Sequence, residues 1–249
     1  MTYCVGLLTR AGMVMIADTR TNAGIDNISI YRKLHILQDN EDRLMAIASA
    51  GSLSVTQSML SMLTEGLPPL EEGGIPRTLA GVPTMFRAAQ LVGEAVRAAS
   101  YSVGATLSGT GINAGISLLL GGRIQGGPLH LFMIYGEGNF IECSPDSPFL
   151  QIGELKYGKP ILDRALAYDT ELDEAVKVGL ISFDSTLRSN LSVGRPFDLL
   201  VVPSDATKPD IRLRISEDDA YFDMLSSEWG RLLNESRAAI PVPPFMKEV

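Results

Sequence analysis

Several residue types are scarce in this chain, and each scarcity excludes a class of protein. Only two cysteines occur among 249 residues, Cys4 and Cys143, and only two histidines, His35 and His130. Two cysteines are too few for a disulfide framework and suit a reducing compartment. With no CxxC or HxxxH spacing in the chain, a structural zinc site is not expected. Basic side chains number 21 against 29 acidic ones, a formal charge of −8. A negative field repels phosphate, so a nucleic-acid partner is not expected. No run approaches the ~18 unbroken apolar residues of a membrane helix. The opening MTYCVGLLTRAG carries no basic segment ahead of an apolar one, so it does not read as a signal peptide. The expectation is a cytoplasmic protein with no membrane partner.

What is present is an ordinary globular balance, 45% hydrophobic and 20% charged. The length lies at the upper edge of one domain, and no linker, repeat or low-complexity tract interrupts it, so residues 1–249 read as a single domain. TYCVGLL and MVMIAD read as two strands of a hairpin turning at Arg10–Gly12, and LHILQ and RLMAIASA as a second turning at Asp39–Asp42. Apolar periodicity predicts helices over Ser52–Leu63 and about Pro83–Tyr101, separated by a Pro/Gly-rich loop. INAGISLLLGG, PLHLFMIYG, NFIEC and FLQIG read as strands, the last leading into a helix. Thr170 and Asp173 have capping-box spacing for a helix through about Leu191. FDLLVVP and DIRLRIS are strands, and a closing helix spans about Glu217–Ala238, where Phe222, Leu225, Trp229, Leu232 and Leu233 give one apolar stripe, with a C-terminal helix-and-tail region of about 217–249. Hairpins without regular βαβ alternation imply an α+β fold of two mostly antiparallel sheets, packed face to face and covered outside by helix pairs.

Thr2 is the residue exposed if Met1 is removed. A threonine at a free N-terminus carries a hydroxyl and an α-amine of reference pKa ~7.7–8.0, so one residue supplies both nucleophile and base. Asp18 and Arg20 follow the strand VMIAD, and a hairpin brings Asp18 near the end that holds Thr2. Lys33 opens the next strand; an ammonium beside Thr2 would lower the hydroxyl's pKa, and Asp18 would hold that ammonium charged. The Gly51 N–H, where ASAGSLS passes from strand to helix, is a candidate oxyanion donor. Each of these has a plainer reading: an edge ion pair, a solvated lysine, a flexible turn.

Thr2, the ADTRT run with Asp18, the RK pair ending in Lys33, and Ala50-Gly51-Ser52 occur in that order and near those intervals in proteasome β-type subunits. The chain resembles that family over nearly its whole length. MTYCVGLL, ADTRTNAGIDNIS, IGELKYGKPILDRAL and STLRSNLSVGRPFDLL are most similar to the bacterial ancestral β-subunit, Anbu. The resemblance implies an N-terminal-nucleophile hydrolase with a four-layer αββα sandwich that requires no metal or organic cofactor. Thr2 would be the nucleophile, Asp18 the orienting carboxylate, Lys33 the tuning cation and Gly51 the oxyanion donor, with Arg20 supporting a substrate-channel loop. It also implies identical subunits in a ring or ring-like spiral acting on peptide or unfolded protein, and leaves open whether an ATPase feeds the particle. Two positions depart from the family pattern. Ser192 matches a supporting serine, but Ser189 stands where an aspartate is usual. After Gly153, where a serine turn is usual, the chain reads Glu154-Leu155-Lys156. Two other readings stay open: an amide acylase using the same threonine on small substrates, and a catalytically degenerate shell, which Ser189 in place of the aspartate favours.

Overall fold

The structure is a computed structural model that describes residues 1–22, 28–107 and 114–246. Its first sheet is built on the N-terminal hairpin, β1 (Tyr3–Thr9) and β2 (Gly12–Asp18). These strands are apolar along almost their whole length because both faces are covered. Val5, Leu7, Val14 and Ile16 pack with Leu162, Leu180 and Phe183 of two helices, α3 (Lys159–Ala165) and α4 (Leu172–Ser189). The alternate residues Cys4, Met13 and Met15 pack the other way, against Ala46, Ala48 and Leu119 of the second sheet. Period-two alternation therefore divides two apolar sets between two cores.

The second sheet contains β5 (Leu34–Asn40), β6 (Arg43–Gly51), β7 (Ile116–Ile124), β8 (His130–Tyr135) and β9 (Phe140–Glu142), in that order and antiparallel throughout. Its far face carries Ile47, Leu118 and Ile134 against Met59, Leu63, Val92 and Val96 of α1 (Leu53–Glu65) and α2 (Met85–Leu107). The first sheet is completed by β10 (Phe149–Gly153), β11 (Phe197–Pro203) and β12 (Ile211–Ile215), in the order β10-β1-β2-β11-β12. A mixed α+β architecture with antiparallel sheets thus emerges from the hairpin pattern.

Three local expectations differ. A short hairpin, β3 (Arg20–Asn22) with β4 (Ile28–Ile30), follows β2 and carries too little apolar pattern to be read in advance. The Thr170–Asp173 spacing does not form a capping box: Glu171 is the N-cap without a side-chain bond, and the Thr170 hydroxyl accepts the Ala167 N–H instead. The closing helix α5 (Ala220–Ala239) carries the apolar stripe, yet only Phe222 and Leu225 are buried on it, while Leu232 and Leu233 are exposed.

Candidate active site

The two sheets meet chemically at Asp18 and Lys33. Asp18 is the last residue of β2, and the register that sets Cys4 opposite Ala17 brings it beside the start of β1. There one of its oxygens, Oδ1, accepts the Tyr3 backbone N–H at 3.0 Å. Lys33 immediately precedes β5 and is anchored to the second sheet by the Ser49 N–H, which donates to its carbonyl at 3.1 Å. Its ammonium crosses to the first sheet, donating to Asp18 Oδ1 at 2.8 Å and to the Arg20 carbonyl at 2.6 Å. The pair is sealed from solvent, with side-chain exposures of 8% for Lys33 and 0% for Asp18. Burial raises the Asp18 carboxyl above its ordinary range, and Lys33 opposes that rise. Asp18 Oδ2 is buried with no hydrogen-bond partner among the described residues.

Thr2 and Lys33 line one cavity of about 110 Å³, together with Thr21, Ser49, Gly51 and Thr56. Met1 sits at the same cavity and is 63% exposed. Gly51 ends β6 at φ +113°, a conformation L side chains rarely adopt, and an added Cβ would strike the Gly115 carbonyl. Ser52 then caps α1, its hydroxyl accepting the Val55 N–H. Arg20 divides its roles. Its carbonyl receives Lys33, while its guanidinium packs over Gly194 and donates to the Leu191 carbonyl at 3.0 Å.

Ser189 and Ser192 are not brought to the cavity. Ser189 is exposed at the end of α4, and Ser192 is half-buried with its N–H donating to Asn190 Oδ1. The residues that do reach the Thr2 backbone from this side were not singled out for a role. The Glu154 N–H donates to the Thr2 carbonyl at 2.7 Å, and Asn190 Nδ2 donates to Glu154 Oε2 at 2.9 Å. Only the break in the family pattern after Gly153 pointed there. Among the described residues no three His, Cys, Asp or Glu side chains cluster as metal ligands. Likewise no described helix is long and apolar enough to cross a membrane.

A threonine at position 2, sharing a cavity with a buried lysine–aspartate pair on antiparallel sheets of an α+β fold, matches proteasome β-subunit-like proteins. Solved structures sharpen this. The chain is 44% identical to Anbu (ancestral β-subunit) from Yersinia bercovieri, covering 97% of this chain and 98% of that one at a TM-score of 0.84. A Gly-1 mutant of Anbu from Hyphomicrobium sp. strain MC1 is 44% identical over 98% and 99% of the two chains, TM-score 0.86. Anbu from Pseudomonas aeruginosa, solved as a helical assembly, is 42% identical over 97% and 98%, TM-score 0.87. No family model and no curated protein matches the chain. At this identity and coverage, the chain belongs to the Anbu family.

Proposed function

We propose that this protein is a threonine-type N-terminal nucleophile hydrolase with a four-layer αββα architecture, and that it cleaves peptide or related amide bonds through an acyl ester on Thr2. The observation that carries the reading is the sealed Lys33–Asp18 pair opening onto the cavity that holds Thr2. With Met1 attached, the Thr2 nitrogen is an amide and has no basic lone pair. Removal of Met1 leaves an α-amine of reference pKa ~7.7–8.0, able to take the hydroxyl proton as Oγ1 attacks a substrate carbonyl. Lys33 stabilises the oxygen as it loses that proton, and the Gly51 N–H receives the charge on the carbonyl oxygen. The resulting ammonium then protonates the leaving amine as the C–N bond breaks. Water attacks the ester, the α-amine takes its proton, and release of the acid returns the threonine hydroxyl.

The Pseudomonas relative's helical assembly supports a ring or ring-like spiral of identical subunits here as well. So does the exposed apolar set Tyr221, Met224, Leu232, Leu233 and Phe245 on α5 and the tail. Such an assembly would restrict access of cytoplasmic chains to an activated threonine.

Intact mass, with and without a peptide epoxyketone, tests the proposal. Protein from cells should lack Met1 and gain one inhibitor mass, while Thr2→Ala should gain none and Thr2→Ser should keep some. Equal labelling of wild type and Thr2→Ala, or Met1 retained on the whole population, would overturn it.

A further inference from the structure

Glu154 is a buried carboxyl in unusual company. It is 4% exposed, and its two oxygens accept the Asn190 side-chain N–H at 2.9 Å and the Lys156 backbone N–H at 3.1 Å. Both donors are neutral, and no lysine, arginine or histidine among the described residues pairs with it. A carboxyl held away from water without a cation is costly, so such groups generally have one to meet. The backbone N–H of Glu154 donates to the Thr2 carbonyl at 2.7 Å. The carbon of that carbonyl is two bonds from the Thr2 α-nitrogen, which becomes cationic when Met1 leaves.

We propose that Glu154 is the positioning residue for the N-terminal amine: its carboxylate pairs with the ammonium released on removal of Met1, and Asn190 at the end of α4 aims it. The inference rests on the reading of Thr2 as a processed nucleophile. It supplies the negative charge that Ser189, facing solvent, does not. It also answers an electrostatic need. Lys33 and Arg32 both line the cavity, and cations there depress an amine's pKa and make it a weaker base. Asp18 pairs with Lys33, Asp198 pairs with Arg32 at 3.7 Å, and the Arg20 guanidinium is turned to the Leu191 carbonyl. Glu154, buried and without a cation, is left for the released amine.

The test uses full-length protein freed of Met1 by cleavage of an N-terminal fusion directly before Thr2. The amine is titrated by the pH dependence of its acetylation under limiting acetic anhydride, read by mass spectrometry of the N-terminal peptide. Epoxyketone labelling and melting temperature are followed in parallel. In Glu154→Gln the apparent amine pKa should fall by about one unit, the size of a lost close charge, and Glu154→Asp should restore part of it. A purely structural Glu154 would lower the melting temperature and leave the amine titration where it was. Amines that titrate alike in wild type and Glu154→Gln overturn the proposal, even if both proteins label at Thr2. A shifted titration without labelling of either protein supports Glu154 while sinking the hydrolase reading.

Discussion

Replacing Lys33 with methionine keeps the length of its stem and deletes its charge, leaving Asp18 buried without a cation. Asp18 would retain only the Tyr3 N–H on Oδ1, and its Oδ2 already has no hydrogen-bond partner among the described residues. Breaking a buried pair from one side costs about 3–5 kcal/mol, because the remaining charge is left in a poor solvent. At roughly 2–4 °C per kcal/mol for a chain of this size, the melting temperature should fall by about 6–20 °C. The pH dependence has a definite sign. Burial already raises the Asp18 carboxyl, and loss of Lys33 raises it further. Stability contributed by a group with a raised folded pKa is present below its unfolded value near 3.9 and is lost as pH climbs through the folded one. Lys33→Met should therefore lie closer to wild type in mild acid than at neutral pH. Adding Asp18→Asn removes the orphaned charge, so the double variant should recover much of the loss, with a coupling of about 2 kcal/mol or more. The assay is circular-dichroism melting of all four proteins at one protein concentration, since assembly also stabilises the folded chain. Epoxyketone labelling should fall by about 10²-fold or more in Lys33→Met. A penalty under about 1 kcal/mol, independent of pH, is what an exposed ion pair shows. That result would refute the sealed-pair reasoning.

Three other expectations follow from burial and exposure. Burial raises the Cys4 thiol and pushes Cys143 and the Tyr3 hydroxyl up to about 12, so the unfolded chain ionises first and stability should decline as pH rises from the ordinary thiol range toward 12. Iodoacetamide should leave both thiols intact in the native protein near pH ~8 and modify both after denaturation, and stoichiometric native labelling would contradict their burial. Truncation after Glu235 removes the exposed end of α5 and the tail with Ile240, Val242 and Phe245, and should shift the particle to smaller species in sedimentation velocity. Unchanged sedimentation would place the subunit contacts elsewhere.

The strands of both sheets were legible in the sequence because their apolar runs are local and end at Gly, Asn or Asp. The same local rules failed where a contact outside the segment decides. Thr170 has a capping partner at the right spacing, yet its hydroxyl turns back to Ala167. The α5 stripe continues past Leu225 with no described residue covering Leu232 and Leu233, because periodicity says which face is apolar and not what meets it. Asp18 and Lys33 were singled out by sequence order and family resemblance. Their contact is a tertiary product, since one closes a strand of the first sheet and the other opens a strand of the second. The exchange of Ser189 for Glu154 and Asn190 lies furthest from sequence reading. One position along the end of α4 separates a side chain in water from one bonded to a buried carboxyl. Nothing in the string GELK distinguishes Glu154 from a surface glutamate. Its burial depends on Gly153 at φ +85°, where an added Cβ would strike the Thr2 carbonyl, and on β10 lying against β1. Backbone geometry at a strand end and the phase of a distant helix place that carboxyl, and only the folded chain brings the two together.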